Sequence, residues 1–558
     1  MRTRDTGGGA SSSWVLAIVG ILGVFFGMVA WAMVSPTGGA PDDDYHLGSI
    51  WCPDPVEGGS CDVVVSNGEV TNVIVPETVY MSQHCWAFHP EQSAACSDAL
   101  SDQNLVPSYR FDTGSYPPGF YQFHHTFVGT DVHRSIMVMR VANVILGLGA
   151  LTLVGALALP RRRQDLLLAT VVAWVPMGVY FVASNNPTSW AISGTLIYAA
   201  GLLCSVESER WRRWALLLVA ATGAGMAMMS RPDAAFFIFV VTLATWLLIP
   251  LRRQRIPELV VSVAASLLGL IVLMSSNQAS SLTGDGGWPV DENLSALRVF
   301  LMNLLSLPEY AASFWGLGMG PGWMDVPLYG WSTLTMVVLF GGLVFAGADY
   351  VSWRKGLAAL VLFGALFGIP VVSMTLRHVQ PLTYYQGRYM LPLLAVALFV
   401  WLRSSDRKPL VLAPGQFAMI AAVASIANAL ALRSTTYRFS TGVNSGNHLS
   451  AGSLTWWPWV VGPKVVWMGG ALAMAIGITL LLLLVTRQRA SVRDTLGSVE
   501  PEQPNSRGWN GYEGNHSGRR VGHAATPAHA GHIEAADAGV RQTDDLLPAD
   551  DTDAGGNQ

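Results

Sequence analysis

Twelve apolar runs constrain this chain more than any other feature: residues 14–34, 136–159, 166–182, 190–203, 214–229, 234–249, 259–274, 331–346, 357–374, 389–402, 411–432 and 465–485. A run of about 20 apolar residues crosses the hydrocarbon core of a bilayer as a helix, because a helix satisfies its own backbone groups where no water can. Some runs here are shorter and would need to extend into their flanks. Charged residues make up only 13% of the chain against 51% hydrophobic, with a mean hydropathy of +0.38. That balance is too apolar for a soluble multidomain chain. The expected fold is an all-α polytopic membrane protein with about twelve transmembrane helices. The lipid bilayer is its first partner, and nothing in the charge pattern suggests nucleic acid.

The connectors suggest an orientation. Basic clusters at the N-terminus and at 161–164, 208–213, 251–255, 352–356, 403–408 and 487–489 fall on one side if twelve spans alternate. The positive-inside rule makes that side the cytoplasm. The reading is then a multi-pass protein of the cell membrane with both termini cytoplasmic. In order it has a cytoplasmic N-terminus (1–13), a first transmembrane helix (14–34), an extracytoplasmic loop domain (35–133), helices two to seven (134–275) and a second outward loop (276–330). Helices eight to twelve (331–486) follow, with an outward loop at 433–463, and then a disordered cytoplasmic tail (487–558). The 276–330 loop holds a stretch suited to an interfacial helix, with Trp315 and Trp323 at headgroup depth. The tail is rich in Gly, Pro, Ala, Asp and His, has no periodicity, and carries too little apolar surface to fold.

Four of the five cysteines, Cys52, Cys61, Cys85 and Cys96, share the first outward loop. An even set confined to an exported loop reads as two disulfides, with three pairings open. In the same loop, β-branched residues alternate around Asn67-Gly68, the strongest short signal for a hairpin. The loop is therefore expected to be a small disulfide-bearing domain containing some β structure.

Three clusters can carry chemistry. The first is PDDDYH at 41–46, just past the first apolar run. A row of acids there is most simply a solvated exit. Crowded carboxylates at a membrane surface can also split their pKa values, which suits a general base or a cation site. Asp43, Asp44 and His46 are the catalytic candidates, with Asp42 lining the site. A divalent cation, Mg²⁺ or Mn²⁺, is a candidate cofactor, although adjacent residues supply few of the oxygens such ions take. The second cluster, SYPPGFYQFHH at 115–125, offers Tyr116, Tyr121 and His124 as aromatic and imidazole lining for a saccharide. Its plain reading is an interfacial aromatic belt. The third is at 377–393, where Gln386 and Arg388 stand outward against the positive-inside trend, and a phosphate is the natural partner of a guanidinium fork. Arg140, inside the second apolar run, needs a partner, for which an aspartate is the candidate. Asn186 and Arg231 sit in tight outward turns that line the same cavity or simply make the turns.

Taken in order, PDDDYH, YPPGFY at 116–121, SNNP at 184–187 and YYQGRYMLPL at 384–393 resemble the DUF2142 family of bacterial polytopic membrane proteins. The family's Pro-Asp-Glu-x-x-His motif falls on Pro41, Asp42, Asp43 and His46, with aspartate in place of glutamate. Its Gln-x-Arg-Tyr motif falls on Gln386, Arg388 and Tyr389 unchanged. The resemblance runs from residue 14 to about 485, and the tail lies outside it. That family is similar to the GT-C glycosyltransferases, so the resemblance implies a GT-C-like fold and a polyprenyl-phosphate sugar as donor. It further implies an envelope glycan or glycoprotein as acceptor, and inversion at the anomeric carbon. Asp43 or Asp44 would take the acceptor's proton, and His46 would orient the carboxylate or bind acceptor. Arg388, with Gln386, Tyr389 and Arg140, would hold the donor phosphate. A flippase for a lipid-linked saccharide and a non-enzymatic envelope assembly protein are the competing readings.

Overall fold

The computed structural model describes residues 7–497 apart from 60, 278–289, 291–292, 405–409, 445–447, 450–453, 455 and 458–461. Most of the 487–558 tail and parts of the 276–330 and 433–463 loops therefore lie outside the described residues.

The chain begins with α1 (Gly7–Val34), then α2 (Asp43–Trp51), β1 (Val63–Ser66), β2 (Glu69–Pro76), α3 (Glu77–Met81), β3 (Leu105–Ser108) and α4 (Gly119–His125). The bundle continues with α5 (Val132–Leu157), α6 (Pro160–Trp174), α7 (Met177–Val182), α8 (Thr188–Ser205), α9 (Arg210–Met228), α10 (Pro232–Leu248) and α11 (Ile256–Ser275). It closes with α12 (Ala296–Leu305), α13 (Leu307–Ser313), α14 (Gly330–Gly347), α15 (Trp353–Leu376), α16 (Leu391–Leu402), α17 (Pro414–Thr441) and α18 (Pro463–Gly497).

The expectation of about twelve transmembrane helices, and the fold class built on it, is corrected. Among the described residues seven helices are long and apolar enough to cross a membrane: α1, α5, α11, α14, α15, α17 and α18. The others fall short for identifiable reasons. The apolar run at 166–182 is two helices, α6 and α7, separated at Pro176. All of α8 is buried, and so is almost all of the twelve-residue α16. Such helices are apolar because protein surrounds them, and a short apolar run is as often core as span. The long helices instead turn one apolar stripe outward, as with Val260, Leu267, Ile271 and Met274 of α11 or Leu334, Val338 and Phe345 of α14.

Small residues let the long helices approach closely. α1 lies antiparallel to α18, where a Cβ on Gly23 would come within 2.7 Å of the Ala473 carbonyl oxygen and 2.8 Å of the Gly477 nitrogen. In a bilayer, such backbone contact substitutes for the hydrophobic drive that lipid removes. Among the described residues, the basic connectors gather at one end of the bundle. There Arg162 makes two 2.9 Å bonds to Glu207 and one of 2.8 Å to Asp165, and Arg403 reaches Glu207 at 2.6 Å.

The opposite end carries the cysteine-bearing cap. Asn67 and Gly68 take positive φ between β1 and β2, and β2 pairs antiparallel with both β1 and β3. The disulfides join Cys52 to Cys61, at the end of α2, and Cys85 to Cys96. Arg438 of α17, wholly buried, clamps the cap down: it bonds the carbonyls of Trp86 and Gln92 at 2.6 Å each and the Asp325 carboxylate at 2.6 Å. Trp315 and Trp323, expected at headgroup depth, are buried too, because their indole N–H groups bond the carbonyls of Val172 and Gly38.

Removing one partner of a buried ion pair leaves the other charge without compensation, which costs about 3–5 kcal/mol. Arg438→Met should therefore lower the melting temperature of the detergent-solubilised protein and expose the cap to protease, with part of the loss recovered in Arg438→Met/Asp325→Asn. Unchanged proteolysis of the single variant would show that the clamp does not hold the cap.

Candidate functional site

The site begins where α1 ends. The last turn of a helix leaves carbonyls without intrahelical partners, and here side chains from distant elements take them and the loop carbonyls that follow. Arg140 donates to Ala32 (2.9 Å), Ser35 (2.6 Å) and Pro36 (2.8 Å). Trp323 donates to Gly38, Tyr180 to Gly39 and Asn186 to Pro41. The loop at 35–41 is thereby fixed and buried, and it delivers Asp42 with φ +60° as the residue before α2. Aspartate is among the few residues that enter this left-handed region at small cost.

The three aspartates face three environments. Asp42 is the open one, with a side chain 44% exposed, 3.0 Å from Arg388 and 3.6 Å from Arg110. Burial works to raise its pKa, but Arg388, together with Arg110 and the other charges around it, outweighs that and holds the carboxyl below its ordinary value. Asp43 is fully buried. Its Oδ2 accepts from the Ala40 N–H at 2.9 Å and lies 3.9 Å from Arg140, while its Oδ1 has no hydrogen-bond partner among the described residues. Burial pushes its pKa up to about 7, against the pull of Arg140. Asp44 receives a two-pronged contact from Arg110, at 2.8 and 3.3 Å.

An aromatic wall closes one side. His46 Nδ1 lies 2.9 Å from the Tyr121 hydroxyl, and Tyr116 meets the His46 ring edge to face at 5.2 Å. Burial drives the His46 pKa down to about 3, so the ring is neutral at physiological pH. On the other side, Arg388 and Arg231 each place a guanidinium carbon 5.1 Å from the Tyr389 ring, a favourable cation–π distance. Arg231 is held by Asp233 at 2.9 and 2.7 Å and by the Thr188 hydroxyl at 3.2 Å.

Arg388 spends one nitrogen on Asp42 and on the Tyr389 hydroxyl. Among the described residues nothing partners its buried Nε and Nη1, or Oε1 of Gln386. Arg388 and Gln386 line a small cavity with Pro41, Phe181, Ser313 and Gly320.

The fold thus brings Asp42, Asp44, His46, Tyr116, Tyr121, Arg231, Gln386, Arg388 and Tyr389 to one end of the bundle. Asn186 and Arg140 lie behind them, holding backbone. His124 stands apart, its ring nitrogens 2.8 Å from the Phe120 carbonyl and 2.9 Å from Asn143. Arg110 was not anticipated, although a signal was there: it is the one arginine or lysine of the acidic 35–133 loop. The aspartate run is a poor cation site, because arginines already compensate it. A different trio, Asp102, Asp131 and His133, has ligand atoms within 4.8 Å of one another and is, among the described residues, an arrangement that could hold a divalent cation. Both of its carboxylates already accept backbone N–H groups, of Val132 and Arg134.

Residues 25–397 match a family described as "Predicted membrane protein (DUF2142)". No curated protein and no solved structure matches the chain.

A carboxyl whose pKa rises from 3.8 to about 7 on folding takes up a proton between those values. Its contribution to stability is greatest in acid and falls as pH rises through that window, levelling off above it. Asp43→Asn should remove that slope from the melting temperature of the purified protein. Parallel curves for parent and variant would show that Asp43 does not titrate there.

Proposed function

The chain belongs to the DUF2142 family of membrane proteins, and on that premise we propose that it is a glycosyltransferase. It moves a sugar from a polyprenyl-phosphate donor to an envelope glycan or glycoprotein at the extracytoplasmic face of the cell membrane. The observation that carries the reading is Arg388: it lines a small cavity, pairs with Asp42, the most exposed of the three aspartates, and has two buried guanidinium nitrogens without partners among the described residues. A phosphate matches such a fork in charge and shape. The orientation rests on the basic connectors gathered at the other end, which the positive-inside rule assigns to the cytoplasm. Two disulfides at the aspartate end suit an oxidising compartment.

The chemistry follows from exposure. Asp42 is the aspartate a substrate can reach, so the role of base passes to it from Asp43 and Asp44. The acceptor hydroxyl gives its proton to Asp42 while its oxygen bonds to the anomeric carbon. The bond from that carbon to the phosphate oxygen breaks, and its electron pair leaves on the lipid phosphate. Attack from the face opposite the phosphate inverts the centre. Arg388 serves both partners in turn. While it pairs with Asp42 the carboxylate is a weak base; when the donor phosphate takes the guanidinium, Asp42 loses the charge that held its pKa down and gains a negative neighbour that raises it. Donor binding thereby activates the base. Tyr116, which is partly exposed, supplies an apolar face for a sugar, with Tyr121 and the neutral His46 packed behind it. Asp44 holds Arg110 in place, and Asp43 holds the loop.

Membranes supplied with a labelled polyprenyl-phosphate sugar test this. Asp42→Asn should lower transfer by about 10²–10⁴-fold, and Arg388→Gln should weaken use of the donor more than use of the acceptor. Asp43→Asn should retain transfer. Loss of transfer in Asp43→Asn with activity kept in Asp42→Asn would move the base back to Asp43, and an equal loss for donor and acceptor in Arg388→Gln would sink the phosphate role.

A further inference from the structure

From the basic end inward, α1, α5, α6 and α18 do not close on one another. They leave a half-open groove whose walls include Ile18 and Ile21 of α1, Leu151 and Gly155 of α5, Leu167 of α6 and Leu481 of α18. Along α1 its lining runs from Ser13 to Met28, which at 1.5 Å per residue is about 22 Å. One leaflet of a bilayer contributes about 15 Å of hydrocarbon. The groove is therefore long enough for an extended chain and has the polarity of one.

Its mouth is basic. Arg163 and Arg212 both line the groove. The neighbouring cations each have a carboxylate partner: Arg161, Arg162 and Arg403 share Glu207, Arg162 also meets Asp165, and Arg213 pairs with Glu258. Arg163 and Arg212 pair with no carboxylate among the described residues. Arg163 donates instead to neutral acceptors, the carbonyls of Ala158 (3.1 Å) and Ala156 (3.0 Å) and, at 3.4 Å, the side chain of Gln488. Burial and the like charge of Arg212 push the Arg163 guanidinium below its ordinary pKa. Two positive charges that meet no carboxylate among the described residues, on the wall of an apolar slot, match a lipid whose head is negative and whose tail is a hydrocarbon chain.

We propose that this groove seats one anionic glycerophospholipid, with its phosphate against Arg163 and Arg212 and one acyl chain lying between α1, α5, α6 and α18. The lipid fills space that the helices leave open and brings a negative charge to Arg163 and Arg212. This site is separate from the aspartate cluster and stands whether or not the chain transfers a sugar.

Native mass spectrometry of the full-length protein, released from nanodiscs of phosphatidylglycerol mixed with phosphatidylcholine of the same acyl chains, tests the assignment. The parent should retain one phosphatidylglycerol in preference to phosphatidylcholine by about tenfold, a difference of about 1.4 kcal/mol. Arg163→Gln/Arg212→Gln should lose that preference while keeping the parent's melting temperature in detergent. Gly155→Trp should lose the retained lipid of either kind, since a Cβ at Gly155 meets no atom within 4 Å and the ring extends into the groove. Equal retention of the two lipids by the parent, a preference that survives in the double variant, or a lipid still held by Gly155→Trp would each overturn the proposal. Displacement of phosphatidylglycerol by an equal amount of polyprenyl phosphate would overturn the choice of lipid.

Discussion

The architecture of the aspartate end depends on one buried guanidinium. Arg140 sits on a membrane-spanning helix with no exposure, yet its donors reach three carbonyls at and just beyond the end of α1. A cation at a helix C-terminus meets the negative end of the helix dipole, and each bond satisfies an acceptor that the helix cannot. With α1 stopped there, Trp323, Tyr180 and Asn186 take the next carbonyls in turn. The result is a rigid loop whose last act is to set Asp42 in a left-handed conformation. The charge of Arg140 also gives Asp43 its nearest counterion. Remove the guanidinium and the end of α1, the loop and the start of α2 lose a common anchor.

Three consecutive aspartates come to do three different things because α2 begins in their midst. Successive residues on a helix point about 100° apart, so neighbours in sequence cannot share an environment. Asp42, outside the helix, meets Arg388 and Arg110; Asp43 turns inward; Asp44 meets Arg110 alone. Arg110 bridges two of them and joins the cap to the site. The arginines that face the acids come from the cap, from α5 and from the stretch before α16, so the site exists only when all three are assembled.

Features carried by local pattern were legible beforehand. Asn67-Gly68 makes the hairpin turn because both residues take positive φ readily, and clustered cysteines pair because the cap keeps them close. Gln386, Arg388 and Tyr389 could be picked out as a group, since an arginine facing against the basic side asks for a partner. The number of spans could not be read as easily. Apolarity reports burial without saying whether lipid or protein does the burying, so α8 and α16 look like spans in sequence and are core in the fold. Trp315 and Trp323 misled for a similar reason: an indole suits an interface, but its N–H equally suits a buried carbonyl. Arg110 was overlooked because one basic residue among many acids reads as noise until its distance to Asp44 is known.

What the sequence determined by itself is the class of protein, the acidic exit after the first span, the cap with its hairpin, and the set of charged residues that must find partners. Those follow from composition and short-range geometry. Only the tertiary structure decided which partners they find and which aspartate stays open. Asp42 and Arg388 are 346 residues apart and meet at 3.0 Å, while Asp43, one residue on, is sealed from solvent. Ion pairing and burial depend on distances in space, and the local pattern of residues carries no record of how far apart two remote segments will lie once the bundle has packed.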